Sequence, residues 1–262
     1  MHRDIRNVIV RSRMSLEKET QPWQPEPQTR EKALRVLRAI ARFHRHRAVG
    51  MEHIPKQGPT LIVVNHSLAT YDISLLGLRI YEQTGRFIRG LGDRAIFRTP
   101  IVGPMAKQVG VVQGSPKTAL ELLKKGELVV VAPGGMREAL RSSRSRYQVL
   151  WQNRKGFARL AVQAGCPVVL AACPRADDIY QVRESRLTRS VYKRLKLPIP
   201  IATGLGPTLI PKPVPLTHWI SEPLLPPIAN GNDQKTLEFQ RHLRQKMEKM
   251  MSKALFDAPF GS

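Results

Sequence analysis

The 262 residues include only two cysteines, Cys166 and Cys173. They form no CxxC pair and have no histidine cluster beside them. Two are also too few for a disulfide framework, so neither a zinc site nor a stapled secreted scaffold is expected, and no metal site is predicted. Both read as reduced core residues of an intracellular protein. No window reaches the roughly 18 apolar residues of a spanning helix, which makes any membrane contact peripheral. The first twenty residues, MHRDIRNVIVRSRMSLEKET, carry bases but no continuous apolar stretch, so no secretory signal is expected. Aromatic residues make up 6%, without a Phe/Tyr platform interleaved among the bases and without a nucleic-acid motif. Nucleic acid is therefore not an expected partner.

Acids are scarce as well: 20 Asp+Glu stand against 43 Lys+Arg, a net charge of +23. Such an excess draws a protein to polyanions, whether anionic lipid, nucleic acid or phosphorylated small molecules, and charge alone does not choose among them. Hydrophobic residues, at 42%, are ample for a core and exclude global disorder.

Residues 1–29 mix charge with Pro22, Pro25 and Pro27 and read as a loosely held arm. Over residues 30–47 the pattern becomes that of a basic amphipathic helix. Leu34, Leu37, Ile40 and Ala41 recur at helical spacing and bases fill the positions between. Such a helix either lies in the headgroup layer, apolar face down, or packs on its own domain with a solvated basic face. The domain's other features favour a membrane-surface helix.

The body then alternates strand-like and helix-like segments. Thr60–Val64, Gly110–Val112, Leu128–Ala132 and Pro167–Leu170 read as strands, and Asp72–Glu82, Lys117–Lys125 and Lys155–Ala164 as helices. This rhythm predicts an α/β fold with a mixed, largely parallel sheet flanked by helices. The proline-rich stretch Pro198–Pro227 reads as loop with edge strands, and Gln234–Lys253 as a charged closing helix.

Two segments carry the candidate chemistry. The buried run Leu61–Val64 emerges into Asn65-His66, and Asp72 follows as a helix begins. Strand ends are where α/β folds place reactive groups. Six helical steps rotate by about 600°, so His66 and Asp72 cannot share a helical face and meet only if the loop folds back. Asp72 would then fix one ring nitrogen of His66 and leave the other free to take a proton. The second segment, Val129–Ala132, runs into Pro133-Gly134-Gly135-Met136-Arg137-Glu138. Two glycines after a strand let the backbone approach a ligand, and Arg137 could meet a phosphate or carboxylate.

Together these segments resemble the glycerolipid acyltransferase superfamily, which includes lysophosphatidic acid acyltransferases. Its Asn-His–acid box is matched by Asn65-His66 with Asp72. Its second block is similar to Arg89-Gly90-Leu91-Gly92-Asp93 through Phe97, Pro100 and Gly103, with Gly110-Val111-Val112 after it. Its third block, Phe-Pro-Glu-Gly-Thr-Arg, is in register with Pro133, Gly135 and Arg137, and its proline-led fourth strand with Pro167–Leu170. The lead-in Gly50–Pro55 is similar too, so the likeness covers roughly residues 48 to 227.

The departures are specific. Five residues, not four, separate His66 from Asp72, Gly134 stands where the third block has glutamate, and Gln113-Gly114-Ser115 replaces a frequent arginine. The family uses those missing groups around a phosphate-bearing acceptor. Pro133–Ala139 and Trp151–Phe157 look instead like the branch related to diacylglycerol acyltransferases and phytyl ester synthases, which acylates neutral lipids and alcohols.

The resemblance implies direct transfer, with His66 as base, Asp72 stabilising the imidazolium, and Asn65, Gly134, Gly135, Arg137 and Glu138 at the donor or substrate. No permanently bound cofactor is expected. The donor would be acyl-CoA or acyl-ACP, with an acyl carrier protein as a partner that suits the basic surface. The acceptor expected is a lipid hydroxyl at the membrane surface, of a neutral lipid or alcohol rather than a phosphate-bearing one. The absent signal with the arginine-rich composition predicts the inner, cytoplasmic face. The domains implied are an arm (1–29), the helix (30–47), an acyltransferase domain (48–227) and a C-terminal helix and tail (228–262). The alternative is a non-catalytic anionic-lipid-binding protein on the same fold.

Overall fold

Thr60–Val64 (β2) and Val168–Ala172 (β6) are strands in which every residue is buried. Only a strand covered on both faces is built that way. In the computed structural model, which describes residues 25–92, 97–98, 100, 102–183, 201–228 and 233–256, these two lie at the heart of a seven-stranded sheet. Most of the N-terminal arm, Asp93 and the extreme C-terminal tail lie outside the described residues.

The other strands of that sheet are β1 (Arg47–Val49), β3 (Ile88–Gly92), β4 (Val112–Gln113), β5 (Leu128–Val131) and β9 (Thr217–Ile220). Their order is β1-β9-β6-β2-β5-β3-β4. Pairing is parallel from β6 through β4, and β1 is parallel to β9. The β6/β9 pair is antiparallel, so the sheet is mixed but mostly parallel. A separate antiparallel ribbon joins β7 (Gln181–Arg183) to β8 (Ile201–Thr203).

Alternation along the central strands sorts the core into two layers, as the two-residue period requires. Leu61, Val63, Val129, Val168 and Leu170 face helices α4 (Pro116–Lys124), α6 (Gly156–Ala164) and α7 (Asp233–Phe256). Ile62, Val64, Val130 and Val169 face α2 (Asp72–Thr84), through Leu76 and Ile80. Two shorter helices are α3 (Val102–Gln108) and α5 (Gly135–Ala139). The sheet and its helices are the α/β arrangement the sequence predicts. Gly165, at φ 59°, closes α6 where the sequence places its end.

Helix α1 (Pro27–Phe43) packs its stripe of Leu34, Leu37, Ile40 and Ala41 against Leu75 and Leu78 of α2 and against Val214 and Leu216. The apolar stripe therefore faces the domain, which leaves α1 its basic outer face with Val36 and Phe43 exposed. At the other end Phe239, Leu243, Met247 and Met251 of α7, four residues apart, are buried under the sheet. Both flanking helices thus pack on the body of the protein, each in its own hydrophobic cluster.

The proline-rich stretch holds a strand that is not at an edge: β9 sits between β1 and β6. Its four residues lie within the proline-free gap between Pro215 and Pro223, where every N–H is available to a ladder. The strand expected at Gly110–Val112 begins later, at Val112, because Gly110 turns at φ 87°.

Candidate active site

Strands β6, β2 and β5 are neighbours and parallel, so their C-terminal ends open on the same side. This brings Cys173, Asn65-His66 and Pro133-Gly134-Gly135 together, although they are far apart in the chain. Asn65 is the clasp. Its Oδ1 accepts the Cys173 N–H at 2.7 Å and its Nδ2 donates to the Cys173 carbonyl at 3.2 Å. Each end of the buried amide thus makes one bond to the backbone. Asn65, expected at the donor or substrate, is tied to the backbone that follows β6.

His66 is held by its backbone. Its N–H donates to Glu138 Oε2 at 3.2 Å, and its carbonyl accepts from Arg141 Nη1 at 2.9 Å. Among the described residues its imidazole Nδ1 is buried without a hydrogen-bond partner. Burial pushes its pKa down to about 4, so the ring is neutral at pH 7 and able to accept a proton.

Asp72, the first residue of α2, is fully buried. Its Oδ1 accepts from Ser67 Oγ at 3.5 Å and its Oδ2 lies 3.8 Å from His218 Nε2. Burial, with the Asp177 charge adding to it, raises its pKa to about 7. Among the described residues no hydrogen bond or ion pair joins it to His66. The loop between them turns at Thr70, where φ is 21°, rare for a β-branched residue. His218 Nδ1 is in turn 2.9 Å from His46 Nε2.

Glu138 is fully buried. Besides His66 it accepts the Leu150 N–H at 3.0 Å, and Arg141 lies 3.8 Å away. Burial raises its pKa to about 7 against those three stabilising partners. A Cβ on Gly134 would lie 2.0 Å from Glu138 Oε2, so glycine at 134 is what admits this carboxylate. Gly135, at φ 52°, packs against Arg154, whose guanidinium donates to the Pro133 carbonyl at 2.9 Å. The Gly135 N–H is committed to the Ala132 carbonyl at 3.0 Å. Arg137 is exposed and donates to Gln152 Oε1 at 2.7 Å.

The site's internal cation is Arg141, which is buried and bonds the carbonyls of His66 and Glu138 and the carboxylate of Asp177. Within an arginine-rich run, nothing in the sequence distinguishes it from its exposed neighbours. His218 did leave a trace, as an inward-facing polar residue in the alternating strand Thr217–Ile220, whose pattern buries His218 and Ile220. Arg89 of the second block is a buried structural residue, bonded to Gly110 O at 3.1 Å and Glu127 at 3.2 Å. Asp72, Cys173 and His218 offer ligand atoms within 4.8 Å of one another, the group among the described residues that could hold a metal. Burial pushes the Cys173 thiol well above its ordinary pKa, which makes it a poor ligand.

Residues 45–173, which include this loop and its neutral histidine, match the model of the Acyltransferase family. Two curated relatives are called "DGAT1/2-independent enzyme synthesizing storage lipids". The one from Bos taurus is 30% identical over 70% of this chain and 53% of its own length. The one from Gallus gallus is 32% identical over 66% of this chain and 53% of its own. The chain thus spans about half the length of these relatives. Among solved structures, the 1-acyl-sn-glycerophosphate (LPA) acyltransferase PlsC of Thermotoga maritima matches with a TM-score of 0.53 and 20% identity, covering 97% of this chain and 91% of that one. That likeness speaks for the fold.

Proposed function

We propose that the chain transfers a fatty acyl group from acyl-CoA or acyl-ACP to a lipid hydroxyl at a membrane surface. His66 takes the hydroxyl proton as the oxygen attacks the thioester carbonyl. The C–S bond breaks, an ester C–O bond forms, and the proton passes to the departing thiolate. General base catalysis of this kind is worth about 10²–10⁴-fold. The observation that carries the reading is the neutral His66 ring, its Nδ1 unpartnered among the described residues, at the strand ends of a region that matches the Acyltransferase family. Asp72 acts when the His66–Asp72 loop tightens on substrate and its carboxylate meets Nδ1. With Gly135 N–H already engaged, the Gly134 N–H is the glycine donor left for the oxyanion.

The acceptor is a neutral lipid or alcohol rather than a phosphate-bearing one. Gly134 replaces the family's glutamate, and Arg137 is turned to the surface. The names of the curated relatives, which refer to storage lipids, support the same choice. The protein works peripherally, on the inner, cytoplasmic face of the membrane; among the described residues no helix is long and apolar enough to cross one.

A second reading, a non-catalytic anionic-lipid binder on the same fold, is favoured by one observation: Asp72 faces Ser67 and His218, not His66. Thiol release from long-chain acyl-CoA and acyl-ACP decides between them. The acceptors are diacylglycerol, a long-chain alcohol and lysophosphatidic acid in liposomes, with His66→Ala alongside. Acceptor-dependent release that vanishes in the variant supports transfer, and the best acceptor names the branch. Silence from both proteins while both bind liposomes supports the second reading.

A further inference from the structure

Beyond the active site, β8 and the segment after it present an unusual surface. Ile201, Leu205, Leu209 and Ile210 are 46%, 47%, 72% and 57% exposed, large aliphatic side chains crowded into ten residues. Scattered exposed aliphatics are ordinary, whereas a cluster marks a contact site. This cluster is not a loose loop. Gly204 N–H donates to the Thr208 carbonyl at 2.6 Å and Leu205 N–H to the Ile210 carbonyl at 2.8 Å. Thr208 Oγ1 bonds the Leu205 carbonyl at 2.7 Å. A Cβ on Gly204 would lie 1.8 Å from the Ile210 carbonyl oxygen, so the turn closes only because residue 204 is glycine. It is anchored below, where Tyr180 Oη donates to the Leu209 carbonyl at 3.3 Å and Lys212 N–H to the Ile179 carbonyl at 3.2 Å. The N–H groups of Gly204, Leu205, Thr208 and Ile210 thus find acceptors within the turn while the aliphatic side chains project outwards. An element entering an apolar medium needs that combination.

The charges around the turn indicate which medium. Residues 201–216 contain no acid and one base, Lys212. Exposed Arg144 and Arg183 flank the base of the ribbon and make no ion pair among the described residues. Among the described residues, Asp177 is committed to Arg141, and Asp178 to Arg146 and Tyr147. An aliphatic tip above a cationic rim, on a chain of net charge +23, matches the interface of an anionic bilayer. The location matches as well. Val182 N–H of β7 donates to Ser143 Oγ at 2.8 Å. Tyr180 and Val182 share a cavity of about 10 Å³ with Leu68, of the loop that follows His66, and with Arg141. The ribbon therefore stands beside the loop that carries the base.

We propose that the Gly204–Pro211 turn is a membrane-docking element, which inserts Leu205, Leu209 and Ile210 into the acyl–headgroup boundary of an anionic bilayer. It sets the His66 end of the sheet against the lipid, and it rests on the reading of that site as one that acts on lipid. The basic face of α1 supplies further attraction without supplying the apolar anchor, because its aliphatic stripe is turned into the domain.

The test uses the full chain and three variants, with phosphatidylglycerol-containing vesicles and pure phosphatidylcholine vesicles. Leu209→Asp/Ile210→Asp alters exposed side chains only, so its melting temperature stays that of wild type. Its partitioning onto the anionic vesicles falls at least about tenfold, the loss expected when two aliphatic side chains no longer enter the interface. Transfer to detergent-dispersed acceptor is retained. In Leu209→Trp, emission shifts to the blue on adding anionic vesicles, beyond any shift of the wild type. His66→Ala binds vesicles normally but transfers nothing. Undiminished vesicle binding by the double variant, or no extra blue shift in Leu209→Trp, overturns the proposal even if transfer is robust. So does a wild-type dimer that the double variant abolishes, since a second copy would then cover the turn. If vesicle binding depends on the turn but no acceptor supports thiol release, docking stands and the transferase reading falls.

Discussion

The Glu138 carboxylate accepts the His66 N–H with one oxygen and the Leu150 N–H with the other, at 3.2 and 3.0 Å, in the space a side chain at Gly134 would fill. The acid that the family pattern places at 134 is absent, but four residues on, one helical turn, brings Glu138 to the same face. An acid is therefore still present at the loop of the base, reached from a different residue. In Glu138→Gln one of the two buried N–H groups faces an amide NH₂ instead of an oxygen. A buried donor left unsatisfied costs about 1–3 kcal/mol. The variant is expected to melt lower and to lose kcat with little change in the donor KM. Wild-type turnover in Glu138→Gln would remove Glu138 from the loop's support.

Gly134→Ala tests the same relationship from the other side. The backbone there, φ −63° and ψ −29°, suits any residue, so conformational strain is not the issue. The new methyl would meet Glu138 Oε2 and Cβ at 2.0 and 2.3 Å, and the carboxylate must leave. Overpacking of this kind costs about 1–3 kcal/mol. Chemical denaturation is expected to show that loss, together with a loss of transfer activity similar to that of Glu138→Gln. A neutral Gly134→Ala would mean that Glu138 has room to move without consequence.

The pH profile separates base from partner. With a pKa near 4, His66 is already neutral well below pH 6.5, so its own protonation cannot limit the rate in the usual histidine range. Asp72, raised to about 7, must ionise before it can stabilise an imidazolium. The acid limb of kcat/KM is therefore expected near pH 7. In Asp72→Asn the plateau should be lower and the limb should move towards pH 4. Stability should move the other way. A raised folded pKa means that the native state binds more protons than the unfolded chain between about 4 and 7, so the Asp72 contribution to stability is lost as pH rises through that window. Asp72→Asn escapes the loss and should gain on wild type from pH 4 to pH 7 in urea titrations. An acid limb at 6.5 in both proteins would count against both assignments.

How much of this was legible in the sequence differs from element to element. Asn65-His66 after Leu61–Val64, and the glycine pair after Leu128–Val131, were readable because a buried parallel strand is a continuous apolar run whose end is marked by polar residues or glycine. That strand rhythm also gave the mixed, mostly parallel sheet. Strand β1 was not legible: Arg47, Ala48 and Val49 continue the composition of the preceding helix, and only pairing with β9 makes them a strand. The same holds for the role of Arg141. Its bonds to His66 and Asp177 cross 75 and 36 residues, and spacing along the chain carries no information about them. The apolar stripe of α1 was visible, but a stripe does not say whether lipid or protein covers it.

His218 offers the last test, because it lies between Asp72 and His46 and carries no positive charge of its own. Burial holds its pKa well below the ordinary value, and His46 is pushed down to about 3. A neutral His218 that accepts from His46 Nε2–H through Nδ1 has its proton on Nε2, pointing at Asp72 Oδ2 across 3.8 Å. That N–H favours the Asp72 carboxylate over its neutral form. In His218→Leu the favourable dipole is gone while the burial remains, so the Asp72 pKa should rise and the acid limb of kcat/KM should move above 7. Catalysis at high pH, where Asp72 is ionised in both proteins, should recover most of the wild-type rate. A merely structural His218 would instead lower the plateau at every pH and leave the limb in place.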